Sequence, residues 1–481
     1  MTISTHRAIK TSLKVAFIAG LATTAFSAAQ AADLRGKGPV YKAPVATIYN
    51  WTGFYVGVNA GLGVSSNRSA LAVPATPSAE TFMLGAQGGL VGLQAGYNWQ
   101  SGNWVIGAET DIQWSGQRNG NTCINACIGG AFGVIDTALT WFGTTRARVG
   151  YANGSVLNYY TGGVAYGGVR TTITEAVGGP AGAITFSNSR TGWTLGSGVE
   201  ASLGGNWTGK IEYLYVNLGK TSAAFTLSGN ANTFSTEHRN HIFRAGLNYQ
   251  FGKAGSMLAA APASDWRGLY VGANVGSSLG FNDTRLTAVA ASNERFLLSP
   301  RGFLGGAQVG YNWQAANAVF GVEADFQGST SKDNQTCVIG CFAATPSIGT
   351  IEQKTPWLGT LRGRVGYASG SALFYLTGGL AYGNVKTTIT ETIPTGAGII
   401  TVDAKRTGYV IGGGVERATN FFGLLGPGWT AKSEYLYVDL GAHAVNYTLG
   451  GVAHTFSTDT HQHIFRSGLN YHFNQPIVAK F

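Results

Sequence analysis

The sequence predicts an all-β protein that crosses a membrane as antiparallel strands closed into barrels. Two observations support this fold class: a strand-like segment of alternating apolar and charged side chains occurs twice, and only 11% of residues are charged while 12% are aromatic. So little charge argues against a disordered chain. A third observation is that no long apolar segment follows residue 31, which excludes membrane helices and leaves strands as the means of spanning.

The repeated segment reads WTGKIEYLYVNLG at 207–219 and WTAKSEYLYVDLG at 429–441. Alternate side chains of a β-strand point to opposite faces, so Lys210 and Glu212 share one face and Tyr213 lies on the other. The two charges have opposite signs, and the other face is apolar and aromatic. This pattern is typical of a strand with one face toward lipid and the other face enclosed.

Residues 1–31 are predicted to be a secretory signal peptide. A basic start is followed by an apolar stretch, and Ala29-Gln30-Ala31 matches a small-x-small cleavage site. The mature chain is therefore expected to begin at Ala32. The formal net charge of +10 is spread along the chain rather than clustered. An exported chain of this kind is not expected to bind nucleic acid.

Self-comparison divides the mature chain into two repeats. The segment HIFRAGLNYQF near residue 250 returns as HIFRSGLNYHF near residue 470. We predict a periplasmic tether at 32–50, a first outer-membrane β-barrel repeat at 51–251, a linker at 252–265 and a second barrel repeat at 266–481.

Each repeat holds about eight strand-like segments, each near the ten residues that a tilted membrane strand needs. Long polar connections, expected after residues 63, 114, 167 and 219, alternate with short turns, which in outer-membrane barrels face the periplasm. The segments of the first repeat start near Phe54, Gly89, Trp104, Thr140, Val156, Thr191, Trp207 and His241. Aromatic residues near the short-turn end are expected to form an interfacial girdle, namely Trp51, Trp99, Trp104, Tyr151, Trp207 and Phe251.

Strand phase places four acids and four bases on the enclosed face of each repeat. Charges in a narrow interior are costly unless paired, so this neutrality predicts a filled, salt-bridged lumen. An eight-stranded barrel is just wide enough for side chains, which favours two tandem 8-stranded barrels; one 16-stranded barrel with an aqueous channel is the alternative. The predicted lumen network comprises Glu109, Asp111, Arg146, Arg148, Glu200, Lys210, Glu212 and Arg244 in the first repeat, and Glu323, Asp325, Arg362, Arg364, Glu416, Lys432, Glu434 and Arg466 in the second.

The motifs WxGxYVGxxxG, WFGTxRxRVGY, EYLYVDLG and FRxGLNYxF resemble those of the alphaproteobacterial 25/31-kDa outer-membrane surface antigens, a porin-like family of OmpA-type barrels. The resemblance covers nearly the whole mature chain twice, whereas family members usually carry one barrel. It implies a location among outer-membrane lipid and lipopolysaccharide, and insertion by the barrel-assembly machinery through the aromatic terminus at Phe481. It also implies that peptidoglycan can be cross-linked to Ala32 of the Ala32-Asp33 start.

Together these features predict a structural outer-membrane protein that contributes to envelope integrity and surface exposure, with no enzyme activity and no cofactor. One alternative is a diffusion porin for small solutes. A second alternative is that histidines of the loops capture a metal or haem; haem as a ligand is implied by the resemblance. The histidines are His238, His241, His443, His454, His461 and His463, and their simplest interpretation is as solvated loop residues.

The chain has four cysteines, two in the second long connection of each repeat. An exported protein with paired cysteines is expected to form disulfides, here Cys123 with Cys127 and Cys337 with Cys341. Neither pair has a third ligand nearby in sequence, so neither is predicted to bind metal.

Overall fold

The computed structural model describes residues 49–72, 80–124, 132–177, 182–227, 230–252, 264–288, 293–338, 348–393, 396–419, 425–449 and 452–473. No helix long and apolar enough to cross a membrane occurs among them. The strands are β1 (Gly53–Ser65), β2 (Asn67–Ala72), β3 (Glu80–Leu84), β4 (Gln87–Ser101), β5 (Trp104–Ile124), β6 (Phe132–Asn153), β7 (Val156–Val177), β8 (Ala183–Gly204), β9 (Trp207–Leu227), β10 (Asn230–Gln250), β11 (Gly268–Ala288), β12 (Asn293–Leu298), β13 (Arg301–Ala315), β14 (Ala318–Val338), β15 (Ile348–Ser369), β16 (Ala372–Ile393), β17 (Gly396–Ala418), β18 (Trp429–Leu449) and β19 (Val452–His472).

The strands form two closed antiparallel rings. In the first ring the order is β1, β4, β5, β6, β7, β8, β9 and β10, and β10 pairs back onto β1. In the second ring the order is β11, β13, β14, β15, β16, β17, β18 and β19, and β19 pairs back onto β11. The prediction of two eight-stranded barrels is therefore confirmed, and the single 16-stranded alternative is wrong. Closure gives each of the eight ring strands a partner on both sides, as spanning lipid requires.

The strands are longer than the ten residues that the sequence suggested. Most strands of the rings run for 21 to 23 residues, more than the apolar belt of an outer membrane needs. The connections expected to be long and polar are largely strand: β5 continues to Ile124 and β7 continues to Val177. The paired strands therefore carry the barrel walls beyond the membrane on the side opposite the short turns. There the short strands β2, β3 and β12 widen the sheets.

The predicted girdle is present with one correction. Trp99, Trp104 and Trp207 near the short turns are about half exposed and face outward. Trp51 is fully buried instead, in the segment that precedes β1: its backbone N–H donates to Gln100 Oε1 and its ring N–H to the Gly154 carbonyl. Trp51 is therefore a plug at the short-turn end of the lumen.

The described residues belong to one compact unit, within which the two barrels touch along a seam of aromatic side chains. Phe243 stacks on Tyr435 at 4.7 Å between ring centroids, and Phe465 meets Tyr213 at 5.2 Å. These pairs are the same two positions of the repeat with the barrels exchanged, so the seam has approximate two-fold symmetry. Outward residues of the repeated segment, such as Tyr213, therefore face the neighbouring barrel rather than lipid.

Candidate functional site

The lumen of each barrel holds the predicted acids and bases, and strand register sets them opposite one another. Glu109 on β5 pairs directly with Arg146 on β6. Glu212 on β9 pairs with Arg244 on β10, and its neighbour Lys210 pairs with Glu200 on β8. Direct cross-strand neighbours lie about 5 Å apart, so the register alone brings opposite charges together.

One guanidinium joins three carboxylates at the centre of the first lumen. Arg146 Nη2 lies 2.5 Å from Glu109 Oε1 and 2.9 Å from Asp111 Oδ2, while its Nη1 lies 2.9 Å from Glu212 Oε1. Arg244 closes the cluster from the far wall, with Nη2 at 2.8 Å from Asp111 and 2.6 Å from Glu212. The lumen is thereby crossed by ion pairs between strands that are not neighbours in the sheet.

The remaining bases complete the charge balance. Lys210 Nζ lies 2.7 Å from Glu109 Oε1, and Arg148 Nη2 lies 3.0 Å from Glu200 Oε2. The Arg148 guanidinium is also sandwiched between the rings of Tyr55 and Tyr159, at 5.1 and 4.8 Å from their centroids. Cation–π contact in a desolvated site adds to the stabilisation of this charge.

The second barrel repeats this arrangement. Arg362 binds Glu323, Asp325 and Glu434, with Nη1 at 2.8 Å from Glu434 Oε1. The other contacts are Arg466 with Asp325 and Glu434, Lys432 with Glu323, and Arg364 with Glu416 between the rings of Tyr270 and Tyr375. All sixteen predicted lumen residues are at most 5% exposed.

Sequence reasoning missed the residues that close the lumen above and below the charges. On the long-loop side, a layer of buried apolar side chains fills the first barrel, including Leu90, Phe142, Leu214 and Ile242. At the short-turn end, Trp51 packs with Tyr49, Val105, Ala152, Leu157 and Tyr159. The alternation of β9 carried the signal for the apolar layer, since Leu214, Val216 and Leu218 continue the face of Lys210 and Glu212. No such signal marked Trp51, which precedes the first strand.

The histidines lie on strands rather than in solvated loops, so that interpretation is wrong. His241 and His463 lie in the seam, where each Nδ1 shares a hydrogen bond with a tyrosine hydroxyl, that of Tyr213 at 2.8 Å and that of Tyr435 at 2.7 Å. His238 and His454 are buried in the barrel interior. The half-buried His461 lies beside two carboxylates, with Nδ1 at 3.5 Å from Asp439 and Nε2 at 3.2 Å from Asp459.

Two further predictions fall outside the residues that the structure describes. Ala32 and Asp33 precede residue 49, and Cys127 and Cys341 lie in the gaps at 125–131 and 339–347. The disulfides and the N-terminal tether stay predictions.

Comparison with known proteins identifies this architecture. A family model for the "Outer membrane protein beta-barrel domain" matches the chain twice, at residues 18–251 and 254–473. The chain belongs to the outer membrane protein beta-barrel family.

Relatives of the same family match one half of the chain each. The 31 kDa outer-membrane immunogenic protein of Brucella melitensis is 39% identical over 250 residues, which is 50% of this chain and 100% of the relative. The 25 kDa outer-membrane immunogenic protein of the same organism is 30% identical over 242 residues, 50% of this chain and 99% of the relative. Among solved structures, Neisserial surface protein A is 14% identical, with 42% of this chain and 98% of that chain covered and a TM-score of 0.21. The chain is thus a tandem duplication of a family barrel and a protein of the cell outer membrane.

Proposed function

We propose that this outer membrane protein beta-barrel family member is a structural protein whose two lumens are closed to solutes, and that it contributes to envelope integrity and surface exposure. The observation that carries the proposal is the filled interior. Each lumen is crossed by the ion-paired cluster around Arg146 or Arg362 and blocked by buried apolar layers on the long-loop side. Carboxylates held in such pairs are not available as catalytic acids or bases, which supports a non-enzymatic role.

Planar-bilayer recording distinguishes this function from a diffusion porin. We expect the purified full-length chain, checked for heat-modifiable migration on gels, to give no large, stable conductance steps. A known general porin added to the same bilayer is the control for membrane quality. Reproducible steps from the folded chain, with an amplitude that scales with salt concentration, would contradict a structural role and favour transport.

A tether to peptidoglycan through the mature N-terminus is the second part of this proposal. Support comes from the resemblance at Ala32-Asp33 and from the path of the chain, because Trp51 enters the barrel beside the short turn at Gly154, on the periplasmic side. The 17 residues at 32–48 reach at most about 55–60 Å when fully extended. Muropeptide analysis of purified sacculi is expected to recover a peptide that begins at Ala32. Recovery of a free Ala32 amine alone would remove the tether and leave the closed-lumen proposal intact.

Surface exposure is the third part. The two Brucella relatives are named as immunogenic outer-membrane proteins, and the strands of this chain extend well beyond the membrane on the side of the long connections. Antibodies raised against the extended ends of β5 and β6 are expected to label intact cells. Labelling only after permeabilisation would contradict exposure.

A further inference from the structure

A row of four bases runs across the outer wall of the second barrel. Arg301 on β13 pairs with Lys332 on β14, which pairs with Lys354 on β15, which pairs with Lys386 on β16. All four side chains are exposed. Like charges directly opposite one another on neighbouring strands destabilise a sheet. Four in register therefore indicate a surface that meets negative charge.

The height of the row identifies the layer that it meets. Along β13 the outward residues begin with Trp313 at the short-turn end and reach Phe303, which is 78% exposed. At about 3.3 Å per residue and a tilt of about 40°, the ten residues between them rise about 25 Å, which is the height of the apolar belt. Arg301 is the next outward residue, so the row begins where the outer leaflet's headgroups begin.

Aromatic rings beneath the bases support this height. Phe326 stacks on Trp357 at 5.7 Å, and Trp357 meets Tyr382 at 6.2 Å, on three of the four strands that carry the row. Aromatic residues of outer-membrane barrels mark the boundary between acyl chains and headgroups. The bases therefore lie immediately outside this boundary.

Nearby carboxylates offset only part of the charge of the row. Glu352 pairs with Lys354, with 2.5 Å between Oε1 and Nζ, and Asp333 accepts a hydrogen bond from the backbone N–H of Ser299 at 2.8 Å. On β17, Asp403 is the direct cross-strand neighbour of Lys386, although among the described residues no carboxylate oxygen lies within 4.0 Å of the Nζ of Lys332 or Lys386. At one end of the row, Arg301 donates a hydrogen bond to Ser66 Oγ of the first barrel at 2.9 Å. Arg301 and Lys332 line a cleft of about 340 Å³ there together with Arg68, Asp333 and Glu352, so the bases outnumber the acids in it by three to two.

We propose that this row binds the phosphate groups of the outer-leaflet glycolipid, lipid A of lipopolysaccharide, and so forms a specific lipid site on the second barrel. The first barrel lacks it. Its corresponding positions are Gln87, Arg118, Ala138 and Arg170, in the same cross-strand register, so its two bases are separated by an alanine. The site does not depend on whether either lumen conducts solutes.

Native mass spectrometry of the full-length chain in detergent tests the site with defined lipid A. We expect the wild-type chain to retain bisphosphorylated lipid A and to release the dephosphorylated form. The variant Lys332→Gln/Lys386→Gln is expected to weaken retention about twenty-five-fold, because each base near an anionic surface contributes about fivefold. The matched control Arg118→Gln/Arg170→Gln removes the same charge from the first barrel and is expected to weaken retention by less than fivefold.

Three outcomes would overturn the proposal. The first is equal retention of the phosphorylated and dephosphorylated lipids by the wild-type chain. The second is equal loss in the two double variants, which would indicate nonspecific surface charge. The third is displacement of lipid A by millimolar inorganic phosphate, which would indicate a site for free anions. Both variants alter exposed side chains, and heat-modifiable migration checks that both fold; the lipid comparison on the wild-type chain needs no variant.

Discussion

The two barrels are nearly identical in the ion-paired core of the lumen and different on their outer walls. The distance from the central guanidinium to its glutamate is 2.9 Å for Arg146 and Glu212 and 2.8 Å for Arg362 and Glu434. The outer rim, by contrast, carries four adjacent bases in one barrel and two separated bases in the other. A buried ion pair tolerates little change, because removing one partner leaves an unpaired charge. Substitutions at exposed positions have small effects on stability, so the outer wall is where the copies are free to acquire different partners.

A second difference lies inside the extracellular extension of the walls. His238 in the first barrel faces Thr221, and Arg190 approaches it. The corresponding position of the second barrel is Thr460, whose hydroxyl accepts a hydrogen bond from Arg406 at 2.8 Å. The same arginine position therefore meets a titratable ring in one barrel and a neutral hydroxyl in the other, so the two barrels are expected to respond differently to acid.

The largest effect is expected from truncating the central arginine. Arg146→Ala leaves the carboxylates of Glu109, Asp111 and Glu212 short of positive charge in a buried site, and we expect the free energy of unfolding to fall by about 3–5 kcal/mol. Arg362→Ala should produce the same loss, because its contacts are the same. Urea unfolding in lipid vesicles, followed by heat-modifiable migration on gels, measures both.

The exposed Arg239→Ala, which removes a surface ion pair with Glu237, is the control and should change stability by less than about 1 kcal/mol. If the two central variants differ by more than about 2 kcal/mol, or if either behaves like the surface control, the view of two equivalent, tightly constrained lumens is wrong.

A smaller effect is expected from acid on the first barrel. Burial, helped by the charge of Arg190, lowers the pKa of His238 to about 4. His238 lies outside the apolar belt, because its neighbours in the strand, Glu237 and Arg239, form a surface ion pair. The folded state therefore favours the neutral ring. The contribution of the neutral His238 ring to the free energy of unfolding is complete above the unfolded pKa of about 6.5. It is lost as pH falls toward 4, and at pH 5 the loss is about 2 kcal/mol.

His238→Thr, which copies the second barrel, should remove this part of the pH dependence. Unfolding midpoints of wild type and variant at pH 7.5 and pH 5 give the comparison, and Thr460→Ser serves as the control for changes at the same height in the other barrel. An acid-induced loss that persists unchanged in His238→Thr would show that other groups cause it.

Alternation was enough to predict the rings and the lumen charges, because a strand's period of two assigns each residue to a face once a single charged pair fixes the phase. Glu109, Arg146 and Lys210 were placed in this way. Trp51 and His463 could not be, since their positions depend on contacts between segments distant in sequence. His463 was expected in a solvated loop, whereas the docking of the two barrels buries it against Gln87, with 3.0 Å between Nε2 and Oε1. The strand lengths were also underestimated, because polar extensions above the membrane lack the apolar face that reveals a strand.

The smallest effect is expected from the aromatic pairs of the seam. Because the seam has approximate two-fold symmetry, the same pair of residues occurs there twice, with different ring geometry. Phe243 and Tyr435 are stacked at 4.7 Å with 22° between ring planes, whereas Phe465 and Tyr213 lie at 5.2 Å with 55°. Aromatic pairs contribute about 0.5–1.5 kcal/mol beyond burial. We expect a double-mutant cycle with Phe243→Leu and Tyr435→Leu to give a coupling energy near the upper end, and the cycle with Phe465→Leu and Tyr213→Leu one near the lower end, both measured by urea unfolding in vesicles. Zero coupling in both cycles would mean that these aromatic pairs do not hold the two barrels together.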